Sequence, residues 1–359
     1  MRCNIQIFKK YIFYIILILS ITVINSFVFK KVYASNYDVE NIIINENFNK
    51  DFKKEDVFDK AFIFAFNKLI LTLLTSEDKE KIINTNIYTI KRLIDSFNIN
   101  NERFVNDNYT ANFTVSFNKK NTLNFLEKKN IFPSIPKKIS LLLIPILIEN
   151  DKNNIKYFNE NNVYLNWNVS KDNHELIKYI LPEDEIDDRE MIDKNFSDIE
   201  SYDFKELISK YNIENYIIVI INQNKKDIKI LSKIYINNNY EIINLNFENQ
   251  SLKNEKNLND IINFLKIKYE DVWKNYNIIN TSIKLPITLL INSKDKSKIE
   301  MFEKFVENYD LISTHKILKF NNVYIYYKLI FSGSPKTFFD EAKKNGLIFI
   351  EENQNWVIE

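Results

Sequence analysis

Residues 139–149, ISLLLIPILIE, constrain this chain more than any other stretch. An apolar run of strand length near the middle of a sequence, with β-branched residues at both ends, reads as a strand buried on both faces. On either side lie segments that alternate strand and helix patterns. The expected fold class is therefore α+β, with three small sheet-and-helix modules in series and this strand opening the middle one. The boundaries read as an N-terminal α+β module over 37–134, a central α/β module over 137–280 and a ferredoxin-like module over 284–359.

The length of 359 residues, with 45% hydrophobic and 14% aromatic residues, supplies material for real cores and excludes a disordered chain. Lys+Arg (49) and Asp+Glu (48) cancel to a formal net charge of +1. No global field draws such a chain to nucleic acid, which is disfavoured as a partner. The abundance of Asn, Ile, Lys and Phe matches the codon bias of an AT-rich genome, so runs of Lys or Asn carry little weight. With only two glycines, Gly333 and Gly346, the chain has neither a P-loop nor a dinucleotide fingerprint. Nucleotide-dependent catalysis is not expected, and no cofactor is implied.

Arg2, Lys9 and Lys10 precede an apolar run over residues 11–29, followed by Val32-Tyr33-Ala34-Ser35. This is the pattern of a secretory signal peptide, residues 1–34, cleaved after Ala34. The alternative is an uncleaved anchor in the inner membrane, since residues 11–29 approach the ~20 needed to span a bilayer; polar Ser20, Thr22, Asn25 and Ser26 weaken it. The single cysteine, Cys3, precedes the hydrophobic run, so it is not a lipoprotein cysteine. The expected mature chain has no disulfide, thiol nucleophile or thiolate metal site. The expected location is exported and periplasmic.

Within the first module, residues 37–44 read as a strand, 53–75 as a buried helix too short in its apolar part to span a membrane, and 76–85 as a weaker helix. Strands over 89–105 and 109–118 meet across Asn106-Asp107-Asn108, and Asn121 reads as the N-cap of a short helix through Lys129. The Pro133 and Pro136 segment marks a boundary. In the middle module Trp167 precedes an expected amphipathic helix over 173–180, then Leu181-Pro182 and an acidic loop. A helix over 204–211 leads into a second buried strand, 215–222; strands 227–236 and 240–247 turn at Asn237-Asn238-Asn239, and a helix over 258–276 closes the module. The last module runs strand 287–291, helix 297–309, strand 311–320, strand 323–331 and a helix from Ser334-Pro335 to Gly346. Residues 347–350 or 356–358 supply the last strand. That order is ferredoxin-like, and the first module resembles the same plan.

Candidate chemistry is sparse. His174 and His315 lie in different modules with no second histidine at ligand spacing, and no nucleophile elbow accompanies either. Trp167, Trp273 and Trp356 fall on apolar patterns and read as core. The acidic stretch Glu183-Asp184-Glu185-Ile186-Asp187-Asp188-Arg189 is the one constellation to weigh. Its carboxylates are oxygen donors of the kind that bind Ca²⁺ or Mg²⁺, yet the spacing and glycine of a calcium loop are missing, and no metal ligand set is assigned.

Together with Leu181-Pro182, this stretch resembles the leucine-proline, acidic-hydrophobic-acidic-Asp-Arg signature of the bacterial family called domain of unknown function 2066. Trp167, residues 204–221 (FKELISKYNIENYIIVII), the first strand and helix and the C-terminal strand-helix-hairpin-helix region follow in the family's order. The chain departs where that family has glycine, as at Asn212. The resemblance implies an exported protein of the Gram-negative envelope with no established activity, and it maps the family's fixed Asp and Arg onto Asp188 and Arg189. A structural ion pair or helix cap is the favoured account of those two; a binding role for Asp184, Asp187, Asp188 and Arg189 is the sharper one. The expected function is non-catalytic binding or assembly with an envelope protein partner, touching membrane only through an uncleaved N-terminus. The alternative is a metal-assisted hydrolase using Asp184, Asp187 and Asp188.

Overall fold

The computed structural model describes residues 37–149, 154–169, 176–225, 227–279, 283–309, 311–352 and 355–359. The expected signal segment and His174 lie outside these residues. Three sheets follow one another along the chain, with mixed helix and strand throughout, which makes the fold α+β.

The first sheet is built from β1 (Asp38–Asn47), β2 (Ile94–Val105) and β3 (Asn108–Phe117) in the order β1-β3-β2, all antiparallel. Between β1 and β2 lie α1 (Lys54–Leu73), α2 (Ser76–Glu80) and α3 (Ile87–Leu93), and α4 (Lys119–Glu127) follows β3. α1 packs Val57, Ala61, Phe62, Ala65, Phe66 and Leu69 among Ile42, Phe113 and Val115 of the sheet. The β2–β3 turn places Asn106 and Asp107 in the left-handed region that the sequence anticipates there. Two expectations are corrected. Residues 89–93, expected at the start of the strand over 89–105, belong to the helix α3, because Asn86 caps it by accepting from the Thr89 N–H and the apolar Ile90 and Leu93 fall three apart. The N-cap before α4 is Asn118, whose side chain accepts from the Asn121 N–H.

The second sheet contains β4 (Ile139–Glu149), β5 (Asn154–Lys156), β6 (Ile177–Ile180), β7 (Tyr216–Gln223), β8 (Asp227–Ile236) and β9 (Asn239–Glu248). β4 is central, with β7 parallel on one side and β5 and β6 sharing the other. Residues 177–180, expected in a helix, are thus a short parallel strand in which Ile177 and Tyr179 turn inward while Lys178 is exposed. Residues 173–175 of that expected helix lie outside the described residues. Pro145 sits midway along β4, where proline is normally excluded. β6 pairs with residues 139–142 and β5 with 147–149, so Pro145 falls in the gap between them and its missing N–H costs no ladder bond. Both faces of β4 are covered. Leu141, Leu143 and Leu147 pack toward α5 (Asn162–Asn166) and α8 (Glu255–Tyr276), with Trp167 and Tyr269 fully buried among them. Leu142, Ile144, Ile146 and Ile148 pack toward α6 (Ile186–Lys194) and α7 (Lys205–Lys210).

The third sheet has the order β11-β12-β10-β14-β13, from β10 (Leu285–Asn292), β11 (Ile312–Phe320), β12 (Tyr324–Phe331), β13 (Phe349–Glu352) and β14 (Asn355–Ile358). Helices α9 (Lys296–Asn308) and α10 (Pro335–Lys344) bury Phe302, Phe305 and Phe338 on one face against Leu289, Tyr327 and Leu329. This is the ferredoxin-like order with its close doubled: both candidates for the last strand are strands, and β14 runs parallel to β10. Ser334 caps α10 and Gly346 leaves it at φ +79, as the proline and glycine placement anticipates. β1-β3-β2 repeats the arrangement of β10-β12-β11.

The proline segment after α4 is bonded on both sides. The Ser134 N–H and hydroxyl both donate to the Leu73 carbonyl at 2.7 and 3.0 Å. The Ile135 N–H donates to Asn277 and the Ile279 N–H to Pro133, while Trp273 Nε1 donates to the Lys137 carbonyl at 2.7 Å.

Candidate functional site

The acidic stretch is half loop and half helix. β6 runs out at Leu181-Pro182, and two tyrosines hold the loop at that point. Tyr164 donates its hydroxyl to the Pro182 carbonyl at 2.8 Å, and the Glu183 N–H donates to the Tyr211 hydroxyl at 2.6 Å. α6 then begins at Ile186, so Asp187, Asp188 and Arg189, expected in a loop, are helical. Asp187 and Asp188 lie in its first turn, where the helix dipole favours negative charge.

The helix separates the charges into two sets. Arg189 reaches back one turn and grips both oxygens of Asp184, with Nε to Oδ1 at 2.6 Å. Asn159 donates to the same carboxylate at 2.9 Å, Glu160 accepts from Arg189 at 3.3 Å, and the guanidinium lies 5.3 Å from the Tyr157 ring centre. This arginine fork holds the Asp184 carboxyl below its ordinary pKa. On the other side Lys210 of α7 bridges Glu185 at 2.6 Å and Asp188 at 2.7 Å, and those bonds push the lysine pKa up. Asp188 is only 2% exposed, and its second oxygen is buried without a hydrogen-bond partner. Asp187 points to solvent.

Asp188 and Arg189 therefore do not pair with each other; each takes its partner from elsewhere. Asp184, Asp187 and Asp188 do not converge either. Two are engaged by cations, and among the described residues no group of three His, Cys, Asp or Glu is placed to hold a metal ion. Chemically, the cluster braces the end of β6 against α6 and α7. His315, the other titratable candidate, is exposed on β11.

Sequence reasoning did not find the bare part of the second sheet. α6 and α7 cover β4 and β7 on their face, yet the same face of β8 and β9 carries exposed Tyr240 and Ile242. Tyr216 and Tyr235 stack there at 5.1 Å. Beside them a groove of about 350 Å³ is lined by Glu200, Asn222, Lys229, Leu231, Asn244 and Asn246. The Asn222 amide donates to Glu200 at 3.2 Å across one wall. Carboxamides offer both donors and acceptors, and among the described residues β9 is the outermost strand, paired on one edge by β8 and on the other by none. The signal was present in NYEIINLNFE: a strand that alternates yet keeps apolar Tyr240 and Ile242 on its second face.

Fold and site define an α+β protein of three serial sheets with a braced acidic turn and an open sheet edge. No family model matches the chain, and no curated protein matches it.

Proposed function

We propose that this chain is an exported, non-catalytic binding or assembly protein of the cell envelope that takes an extended segment of a partner protein along β9. The bare face and open edge of β9, with the amide-lined groove beside them, carry the reading. An added strand gains main-chain hydrogen bonds from such an edge, and pockets on the adjoining face select alternate side chains. The resemblance to domain of unknown function 2066 and the signal-like N-terminus support the envelope location. Metal-assisted hydrolysis has less support, since Asp184 and Asp188 face Arg189 and Lys210.

A photo-cross-linking amino acid at Ile242 tests this in intact cells, with one at the remote, exposed Tyr88 as control. One stoichiometric envelope partner, joined through an extended segment at 242 and not at 88, is the expected result. Equal labelling from both positions, or none at 242, overturns the reading. A melting temperature raised by a specific divalent metal would revive the hydrolase.

A further inference from the structure

The β11–β12 hairpin is unlike the rest of the chain in charge. Residues 311–339 contain no Asp or Glu, although acidic and basic residues balance over the whole sequence. The hairpin instead carries Lys316, Lys319 and Lys328. Antiparallel register sorts its side chains: Lys316 lies opposite Lys328 and Lys319 opposite Tyr326 on the sheet face away from α9 and α10, whereas Ile317 and Phe320 share the face of Tyr327 and Ile325.

The apolar residues at the far end are uncovered. Phe320 is 80% exposed, Ile317 53%, Val323 51% and Leu318 48%. A register shift falls between Ile317 and Lys319, so Leu318 is the bulged residue. The turn satisfies polar groups that would otherwise bar it from a low-dielectric layer. The Asn321 side chain accepts from the Val323 and Tyr324 N–H groups at 2.9 and 2.7 Å. Its own N–H donates to the Tyr324 carbonyl, and the Val323 carbonyl accepts from the Ser293 N–H. Lys319 Nζ sits 4.3 Å from the Tyr326 ring centre, a cation and an amphipathic ring side by side just behind the tip.

Aliphatic and phenyl groups at a tip, with lysines and tyrosines behind and no Asp or Glu in the hairpin itself, match the depth profile of a membrane interface; the neighbouring Glu303 of α9 is on the helix side, where it accepts from the Tyr327 hydroxyl at 3.0 Å. We propose that the β11–β12 hairpin docks on an anionic bilayer, with Leu318, Phe320 and Val323 in the headgroup–acyl boundary and Lys316, Lys319 and Lys328 at the lipid phosphates. This contact is independent of β9 and of the N-terminal segment.

The test uses the full chain with Cys3→Ser and Asn322→Cys, labelled at 322 with an environment-sensitive fluorophore. A second chain labelled through Tyr88→Cys is the control. On phosphatidylglycerol-containing vesicles the 322 label is expected to shift to the blue and be quenched from the acyl region, while the 88 label stays unmoved. Lys316→Glu with Lys319→Glu should reduce the shifted population about tenfold or more, and Leu318→Ser with Phe320→Ser should abolish the shift. An unshifted 322 label on chains bound to vesicles through their N-termini overturns the proposal. So does an equal shift on neutral phosphatidylcholine. A shift with single-stranded oligonucleotide and none with vesicles would overturn it in favour of nucleic acid on the tyrosine–lysine face.

Discussion

Asp188 is the residue on which the acidic turn depends. Its carboxylate is nearly sealed from water, with one oxygen on Lys210 and the other unpaired. Removing the lysine while keeping the acid would leave an uncompensated buried charge, a change that costs about 3–5 kcal/mol in a fully buried pair. Lys210 is 37% exposed, so water can reach the vacated position and the cost is smaller. Lys210→Met should destabilise by about 2 kcal/mol near neutral pH, read from urea midpoints. The pH dependence has a definite sign. The folded-state lysine pKa is raised, first by Asp188 and then by Glu185, so the stabilisation is fully present below the ordinary lysine pKa. It is lost as pH rises through the folded value, and the gap between wild type and variant should close in strong alkali. A gap constant with pH would show that Lys210 acts by packing alone. The neighbouring Asn212 carries a different message: at φ +49 it occupies the left-handed backbone that glycine takes most easily and that asparagine tolerates better than other side chains.

Among elements, β4 and β7 were legible because a strand buried on both faces needs an unbroken apolar run, and the asparagine turns announced the hairpins. The last module was legible for the same reasons, together with Ser334-Pro335 and Gly346. Local pattern failed where tertiary pairing decides. β6 has four residues and exists because β4 offers an edge, and the end of α3 read as the start of a strand because the β-branched Thr89, Ile90 and Ile94 favour one. The pairing of Asp188 with Lys210 was illegible, since α7 reaches the turn only through the fold. Pro145 shows the same dependence, because its carbonyl, lacking a strand in the gap, accepts from the Asn161 amide at 3.0 Å. Asn161 is fully buried and also caps α5 by accepting from the Val163 N–H at 2.9 Å. Asn161→Ala forfeits both bonds and should cost about 2 kcal/mol. Asn161→Asp keeps the cap but turns a carboxylate toward a buried carbonyl, so it should melt below the alanine variant. An aspartate variant as stable as wild type would rule out the amide bond to Pro145.

At the scale of the whole chain, the question is whether three sheets with their own cores unfold separately. The junction argues against it. Ser134, itself buried, gives two hydrogen bonds to the end of α1, and residues 133 and 135 exchange backbone bonds with 277 and 279 just past α8. Asp271 of α8 adds a second tie, accepting from the Ser76 N–H at 2.8 Å and its hydroxyl at 2.6 Å at the start of α2. Each charge-assisted bond of this kind contributes roughly 1.5–3 kcal/mol, a large share of the ~5–15 kcal/mol that holds a typical native protein together. α8 is thus fastened to the first sheet's helices while its apolar stripe forms the core of the second. Calorimetry of wild type should give one transition across the first two sheets. Asp271→Ala with Ser134→Ala removes three of these bonds without touching either core, and should separate an earlier-melting first sheet from the second. Two transitions already in wild type would mean that the junction joins the modules without coupling them. A single transition retained in the double variant would instead place the coupling in the backbone bonds of residues 133–135, which neither substitution removes.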